Sequence, residues 1–451
     1  MIDNNTPKKL YGLFTSIALI IGIVIGSGIF FKSDNILIAT NGSVSLGIII
    51  FCFAAVSIIF GSLTVAELAS RTDEPGGIFT YARLFLGQAA GSAYGWFYTF
   101  VYLSTITVVL SWVSGIYFCI FFNIEGTLET QCLVGFLLMT TLYVVNILSA
   151  KVAGYFQNAA TVIKLIPLLI IAIAGLFQGG SETYFSQTAI SQLSGSSWIL
   201  AIPAIAFSFD GWIISTTVAH QIKNSKRNLP IALIISPLFI LIVYILYFIG
   251  ISTLVGPDTI MSMGDAHLDY AANLIFGAFG AKLIGLFVLI SVLGGLNGLI
   301  IGISQMPYSL ALQQMIPGSE KIKKLAEKTS FPLNSSIASY FVILIWYIVH
   351  YFTQRFMLLT NSDVSEIAIV VSYLLYLPLY YQVFKMGIKK EIGTFRGIIC
   401  PILATIGSLI IFSGGLQNSL FLLYIAICLV FLIGGYIYYR KVTQSQIKIK
   451  S

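Results

Sequence analysis

The stretch Gly22-Ile23-Val24-Ile25-Gly26-Ser27-Gly28-Ile29-Phe30 lies in the middle of the first long apolar run of the chain. A membrane helix must close its backbone hydrogen bonds within itself, and three glycines at this depth weaken it. The stretch therefore predicts an interrupted helix, whose first half ends in free carbonyls and whose second half begins with free N–H groups. These two ends carry partial charges of opposite sign. For the glycines alone, a packing surface of small residues is the alternative interpretation.

The composition is that of an integral membrane protein. Of the 451 residues, 57% are hydrophobic and only 9% are charged, whereas soluble domains carry about 25% charged residues. Each membrane crossing needs about 20 predominantly apolar residues, and twelve segments meet this requirement. They are residues 12–31, 44–66, 91–122, 131–149, 153–177, 197–218, 229–255, 279–312, 332–353, 365–385, 397–415 and 419–439. The predicted fold class is therefore all-α, with residues 1–451 forming one membrane domain of 12 transmembrane helices.

The distribution of basic residues predicts the orientation in the membrane. Most of the 24 Lys and Arg residues fall in alternate loops and in the two tails, whereas acidic residues such as Glu125, Asp258 and Asp363 fall in the opposite loops. Because Lys and Arg are enriched in cytoplasmic loops, both termini are expected to be cytoplasmic. The net charge of +7 follows from this bias, so the charge does not indicate nucleic-acid binding.

No pattern for a metal, a cofactor or covalent chemistry is present in the sequence. The five cysteines have no metal-binding spacing, and His220, His267 and His350 are far apart along the chain. There is also no recognisable set of a nucleophile and a base. We therefore expect no metal, no cofactor and no enzymatic activity.

The sixth segment repeats the anomaly of the first. Pro203 is followed by Phe207-Ser208-Phe209-Asp210-Gly211-Trp212, which places a carboxylate and a glycine inside a membrane span. Paired interrupted helices in two halves of a chain indicate an inverted-repeat transporter, with the ligand bound between the two breaks. The repeats would be residues 12–177 and 197–385, followed by two additional helices at 397–439. The opposite poles of the first break suit a zwitterion such as an amino acid.

Several motifs occur in order between about residues 12 and 315. They are GSGIF in segment 1, AEL and PGG before segment 3, FDGW followed by IKNSKRNLP after segment 6, and GGLNG in segment 8. Together they resemble the L-amino acid transporter branch of the amino acid-polyamine-organocation superfamily, and the pattern is similar to bacterial Ser/Thr and Ala/Ser/Cys exchangers. The resemblance implies the LeuT/APC fold, with a 5+5 inverted repeat, discontinuous helices 1 and 6, and a place in the bacterial inner (plasma) membrane.

The resemblance also implies a substrate site. Backbone N–H groups of the first break would hold the carboxylate of an amino acid, and carbonyls of both breaks would hold its ammonium group. The N–H groups are those of Gly26, Ser27 and Gly28, and the carbonyls are those of Val24, Phe207, Ser208 and Asp210. The ring of Phe207 would form a gate over the substrate. Thr105 in segment 3 and Asn297 in segment 8 are the expected pocket walls.

Two ionisable residues inside the spans need a separate interpretation. Burial disfavours the charged form of Lys164, whereas carbonyls of a broken helix favour it. The resemblance places its ammonium group where sodium-coupled members of the fold hold a sodium ion, which predicts sodium independence and leaves titration of Lys164 open. Asp210 is interpreted as a cap for the second half of segment 6, with proton uptake as the alternative.

The expected function is sodium-independent transport of small to medium neutral L-amino acids by alternating access, with exchange preferred over proton symport through Lys164 or Asp210. A sensor that binds an amino acid without transporting it is a further alternative, which the tails of about eleven residues disfavour. The expected partners are the amino acid and the lipid bilayer. Relatives in animals bind a heavy-chain glycoprotein through a cysteine between segments 3 and 4. Because Cys132 falls within segment 4, no such partner is expected.

Overall fold

The computed structural model describes residues 9–26, 29, 33–178, 205, 208–326, 331–359, 363–416 and 420–450. The described chain is helical, and its extended pairing is confined there to an isolated bridge between Tyr11 and Ile222. The helices are α1 Leu13–Val24, α2 Ser33–Ala39, α3 Val44–Ala69, α4 Ile78–Phe85, α5 Gln88–Phe122, α6 Leu128–Leu148, α7 Ala150–Gln178, α8 Ser225–Val255, α9 Pro257–Met263, α10 His267–Phe276, α11 Ala278–Leu312, α12 Ser319–Ile322, α13 Leu333–Arg355, α14 Glu366–Ile388, α15 Cys400–Gly415 and α16 Phe421–Lys450.

Ten helices within the described ranges are long and apolar enough to cross a membrane. They are α3, α5, α6, α7, α8, α11, α13, α14, α15 with its preceding π-helical turn, and α16. Each coincides with one of the segments predicted from the sequence, which confirms an all-α membrane protein. The other two predicted segments, residues 12–31 and 197–218, are the pair expected to be interrupted, and their described residues include no helix of spanning length.

The first interruption begins after Val24. Helix α1 has 12 residues, too few for a bilayer, and the next residue, Ile25, has extended backbone angles (φ −74°, ψ 90°). Ile25 N–H still donates to Ile21 O at 2.8 Å, whereas the Gly26 N–H turns back to Val24 O at 2.9 Å. The helical hydrogen-bond ladder of α1 therefore stops at the point that the glycines predict.

The second interruption contains a 3₁₀ segment, Trp212–Gln221, where the sequence analysis expected an α-helical half. Gly211 precedes it with φ of +96°, and a Cβ atom there would lie 2.6 Å from Ile23 Cγ2 of α1. A side chain at position 211 is thus excluded twice, by the left-handed backbone and by the close approach of α1. All ten residues of the 3₁₀ segment are buried.

Close backbone contacts at glycines bring the long helices together. A Cβ atom on Gly175 of α7 would lie 1.9 Å from Gly250 O of α8, and one on Gly115 of α5 would lie 1.9 Å from Gln131 O of α6. Small residues permit such contacts between membrane helices, where packing rather than water exclusion drives association. These contacts set the positions of α5, α6, α7 and α8 around the two interruptions.

Replacing Gly175 with alanine is expected to destabilise the protein by about 1–3 kcal/mol, because the new methyl group forces α7 and α8 apart. The matched control is Gly285→Ala in α11, where the added Cβ meets only Phe121 Cδ2 at 3.9 Å. There alanine should be neutral or stabilising, because it favours the helix over glycine. Thermal unfolding in detergent compares the two variants. Equal melting temperatures would contradict the close contact of α7 with α8.

Candidate functional site

A small cavity lies between the two interruptions. Its volume is about 90 Å³, well below the roughly 300–1,000 Å³ of pockets for drug-sized ligands. Both interruptions and three further helices line it: Ile23, Val24 and Gly26 at the first break, Ser208, Asp210, Gly211 and Ile214 at the second, and Ile106, Leu110, Leu299 and Ile369 from α5, α11 and α14. The side-chain walls are aliphatic, and Asp210 is the one ionisable residue among these lining residues.

Tyr244 of α8 connects the two interruptions. Its hydroxyl group lies 2.9 Å from Ser208 O and 3.3 Å from Val24 O, close enough to donate to either carbonyl. The side chain is fully buried, and its ring packs against Phe209 with a centroid distance of 4.9 Å. Two carbonyls assigned by sequence to an ammonium group therefore converge on one hydroxyl donor.

Asp210 has a partner that the sequence analysis did not name. Its Oδ2 accepts a hydrogen bond from the Tyr102 hydroxyl of α5 at 2.7 Å. The residue at the start of the 3₁₀ segment is Gly211, and no side-chain cap is recorded there. The carboxylate is therefore bound to α5, and it also interacts with the backbone of Gly211 at the start of the 3₁₀ segment, so the cap remains a prediction.

Lys164 joins α7 to the end of α1. Its Nζ donates to Gly22 O at 2.7 Å, to Ile25 O at 2.6 Å and to Ser291 O of α11 at 3.1 Å. The side chain is 0% exposed. Three donors on the ammonium group thus meet three carbonyls, two of which the interruption of α1 leaves without a helical partner. The geometry is that of a cation held by a ring of backbone oxygens.

The two residues expected to be pocket walls lie elsewhere. The Thr105 hydroxyl donates to Val101 O at 2.9 Å within its own helix, and the neighbouring Ile106 lines the cavity instead. Asn297 accepts from Asn146 Nδ2 and donates to Gln157 Oε1, both at 2.9 Å. Asn297 therefore ties α6, α7 and α11 together and does not line the cavity.

Three residues of the expected site lie outside the described residues, namely Ser27, Gly28 and Phe207. The described remainder of the cradle is internally satisfied, because the Gly26 N–H donates to Val24 O. An amino acid carboxylate would have to replace that carbonyl as the acceptor of the Gly26 N–H.

Sequence reasoning missed Tyr102, Tyr244 and the aliphatic walls. A tyrosine inside a membrane span usually uses its hydroxyl as a hydrogen-bonding group when it is buried, which is a usable signal. The chain has 24 tyrosines, however, so this signal does not single out two of them. The aliphatic walls lie on α5, α11 and α14, which correspond to segments 3, 8 and 10.

The comparison with known proteins decides the family. A profile of the amino acid permease family matches residues 11–421. The chain belongs to this family. The permease is 28% identical over 413 residues to the "Serine/threonine exchanger SteT" of Bacillus subtilis (strain 168), covering 90% of this chain and 91% of that one.

More distant relatives are the "b(0,+)-type amino acid transporter 1" of Rattus norvegicus and the "Asc-type amino acid transporter 1" of Homo sapiens. Both are 28% identical to this chain, over 64% and 69% of its length and 60% of theirs. These matches confirm the resemblance seen in the motifs. The chain is a multi-pass membrane transporter of amino acids rather than an enzyme.

Substitution of Gly26 tests the cavity. A Cβ atom at Gly26 meets nothing within 4 Å, so Gly26→Ala is expected to fold normally while its methyl group occupies cavity space. Serine or alanine should bind about tenfold more weakly, a loss of about 1.4 kcal/mol, measured by isothermal titration. Gly12→Ala is the control, because its Cβ is equally unobstructed but lies before α1. Unchanged binding in Gly26→Ala would contradict the assignment of the cavity.

Proposed function

We propose that this permease exchanges small neutral L-amino acids across the membrane without sodium. The observation that carries the proposal is the cavity of about 90 Å³ between two helix interruptions, with backbone groups at its ends and aliphatic side chains around it. The N–H groups and carbonyls of the interruptions, once released from their internal partners, would match the carboxylate and ammonium groups of an amino acid. The small volume favours a short side chain.

The substrate site would use the residues named from the sequence, with two additions. Gly26, Ser27 and Gly28 would hold the carboxylate, and the carbonyls of Val24, Phe207, Ser208 and Asp210 the ammonium group. Tyr244 would release Val24 O and Ser208 O as the substrate arrives, because its hydroxyl contacts both. Phe207 would close the site from outside. Ile106 and Leu299, on α5 and α11, would limit the side chain of the substrate.

The architecture proposed for this function is a 5+5 inverted repeat over residues 12–177 and 197–385, with two additional helices to make 12. In support, ten helices are long and apolar enough to span the membrane. The two remaining segments, residues 12–31 and 197–218, lie at the start of the two proposed repeats. Both termini would lie in the cytoplasm of a bacterial cell, because basic residues concentrate on that side. The permease would act without a heavy-chain glycoprotein.

Lys164 is proposed to take the place of a coupling ion. A buried ammonium group with three carbonyl partners provides the contacts that a bound sodium ion would otherwise make between α1 and α11. Because this cation is attached to the protein, a sodium ion would not be needed at this position. The contacts also place Lys164 where it biases the equilibrium between outward and inward states.

Sodium replacement tests this role. Uptake of serine in proteoliposomes should be unchanged when sodium is replaced by choline. Lys164→Ala removes the ammonium donor from Gly22 O and Ile25 O, the two carbonyls that the interruption of α1 leaves without a helical partner, at a cost of about 1–3 kcal/mol each, and should slow turnover more than it weakens binding. Ser291→Ala is the control, because it keeps the Ser291 carbonyl and removes only a hydroxyl 3.4 Å from Ile25 O. A strict sodium requirement would refute the proposal.

Preloading separates exchange from proton symport. An exchanger needs a ligand for the return step, so vesicles preloaded with unlabelled serine should take up label at least tenfold faster than empty vesicles. An imposed proton gradient should have little effect. A panel of amino acids in the preloaded vesicles then gives the side-chain preference.

Proton symport would give a different result in this experiment. A symporter would accumulate label in empty vesicles acidified outside, and Asp210→Asn would remove that accumulation. Tyr102→Phe serves as the matched variant, because it deletes the hydrogen bond to Asp210 while leaving the carboxylate able to accept a proton. Accumulation that Asp210→Asn abolishes and Tyr102→Phe retains would replace exchange by proton symport.

A further inference from the structure

A groove on the outer surface of the membrane domain lies between α14 and α15. Its volume is about 290 Å³, and its lining includes Tyr381 and Phe384 of α14 and Pro401, Thr405 and Ile406 of α15. Tyr381 and Ile406 are each about half exposed, so the groove faces the surroundings of the helix bundle. The Thr405 hydroxyl already donates to Pro401 O at 2.8 Å. Hydrocarbon fits such a lining better than water does, because water finds few polar partners there.

One end of the groove meets a cluster of cations. Residues 385–396, which connect α14 to α15, contain four basic residues and one acidic residue, Glu391. The basic residues are Lys385, Lys389, Lys390 and Arg396, and all four are exposed. Lys385 is positioned by the groove itself, because its Nζ lies 4.5 Å from the centroid of the Tyr381 ring.

The three lysines remain available to an anion. Arg396 pairs with Glu67 of α3, with an Nη1 to Oε1 distance of 3.2 Å. Within the described residues, no ion pair is recorded for Lys385, Lys389 or Lys390. With Glu391 as the one acidic residue among residues 385–396, this end of the groove keeps a net positive charge.

A close helix contact holds the cations over the groove. A Cβ atom on Gly387 would lie 2.3 Å from Gly397 O, so the end of α14 and the turn before α15 touch through their backbones. The two backbones therefore converge at Gly387 and Gly397, and Gly387 lies between Lys385 and Lys389 in the sequence. The apolar groove and the cluster of lysines are therefore neighbours along α14.

We propose that this groove binds one anionic phospholipid, with an acyl chain between α14 and α15 and the phosphate at Lys385, Lys389 and Lys390. Clusters of Lys and Arg at the cytoplasmic end of membrane helices attract anionic headgroups, and an ammonium group forms strong charge-assisted hydrogen bonds to phosphate. The lipid comes from the cation-rich leaflet, which is the cytoplasmic one under the proposed orientation.

A second groove has a similar apolar lining but no net charge at its end, so the proposal depends on the lysines as well as on the lining. It also has a volume of about 290 Å³ and lies between α6 and α13, with Phe136 and Tyr351 in its lining. The side chain of Tyr351 donates to Glu129, and Glu129 pairs with Arg355 at 3.5 Å. The charges there cancel, so this second groove offers an anionic headgroup no net attraction.

Native mass spectrometry of the full chain in detergent tests the proposal with phosphatidylglycerol and phosphatidylcholine of the same acyl chains. The wild type should bind one phosphatidylglycerol at least tenfold more tightly than phosphatidylcholine. The triple variant Lys385→Gln, Lys389→Gln, Lys390→Gln should lose that preference about tenfold. Thr405→Trp, which fills the groove, should weaken binding of both lipids.

The matched control is the triple variant Lys321→Gln, Lys323→Gln, Lys324→Gln, which removes the same charge from another loop of the cation-rich side. It should bind phosphatidylglycerol as the wild type does. Equal losses in the two triple variants would overturn the proposal, since attraction would then depend on total charge. So would a wild type without preference between the two lipids, a measurement that depends on no substitution. Because the readout is lipid binding, the result is independent of the transported amino acid.

Discussion

A carbonyl freed from a helix inside the bilayer has no water to bind, and this requirement organises the centre of the permease. The interruption of α1 releases the carbonyls of Gly22, Val24 and Ile25, each of which would cost several kcal/mol if left unpaired. Lys164 supplies donors to Gly22 O and Ile25 O, whereas Val24 O accepts from the Gly26 N–H and lies within reach of the Tyr244 hydroxyl. The helices that carry these donors, α7 and α8, are in turn locked together at Gly175 and Gly250. The interruption is thus stable because its neighbours are fixed.

The sequence was sufficient for most of the architecture, for a physical reason. A bilayer demands long apolar helices, so hydropathy alone located the ten spans, and the glycine cluster that begins at Gly22 indicated where α1 ends. Lys164 was identifiable because a lysine in mid-span is rare and needs buried partners. Its three carbonyl partners on α1 and α11 follow from the fold, since Gly22 and Ser291 are remote in sequence from Lys164.

The walls of the cavity were beyond the sequence. Consecutive residues on a helix point about 100° apart, so placing Thr105 instead of Ile106 at the cavity is an error of one residue. The π-helical turn Tyr98–Tyr102 just before Thr105 shifts the facing side of α5, and apolar periodicity does not reveal such a turn. Asn297 was misplaced for another reason. Its partners Asn146 and Gln157 lie on two helices whose approach depends on the whole fold.

The contrast between backbone groups and aliphatic side chains around the cavity has an evolutionary consequence. Under the proposed function, the groups common to all amino acids would face backbone atoms at the interruptions, where geometry requires glycine, as at Gly211. The variable side chain of the substrate would face Ile106, Leu110, Leu299 and Ile369, which lie on regular helices where one aliphatic residue can replace another with little backbone movement. Selectivity can therefore drift through a few point substitutions while the shared recognition of the zwitterion is inherited intact. Members of such a family could then differ in the amino acid they transport while sharing the same helix interruptions.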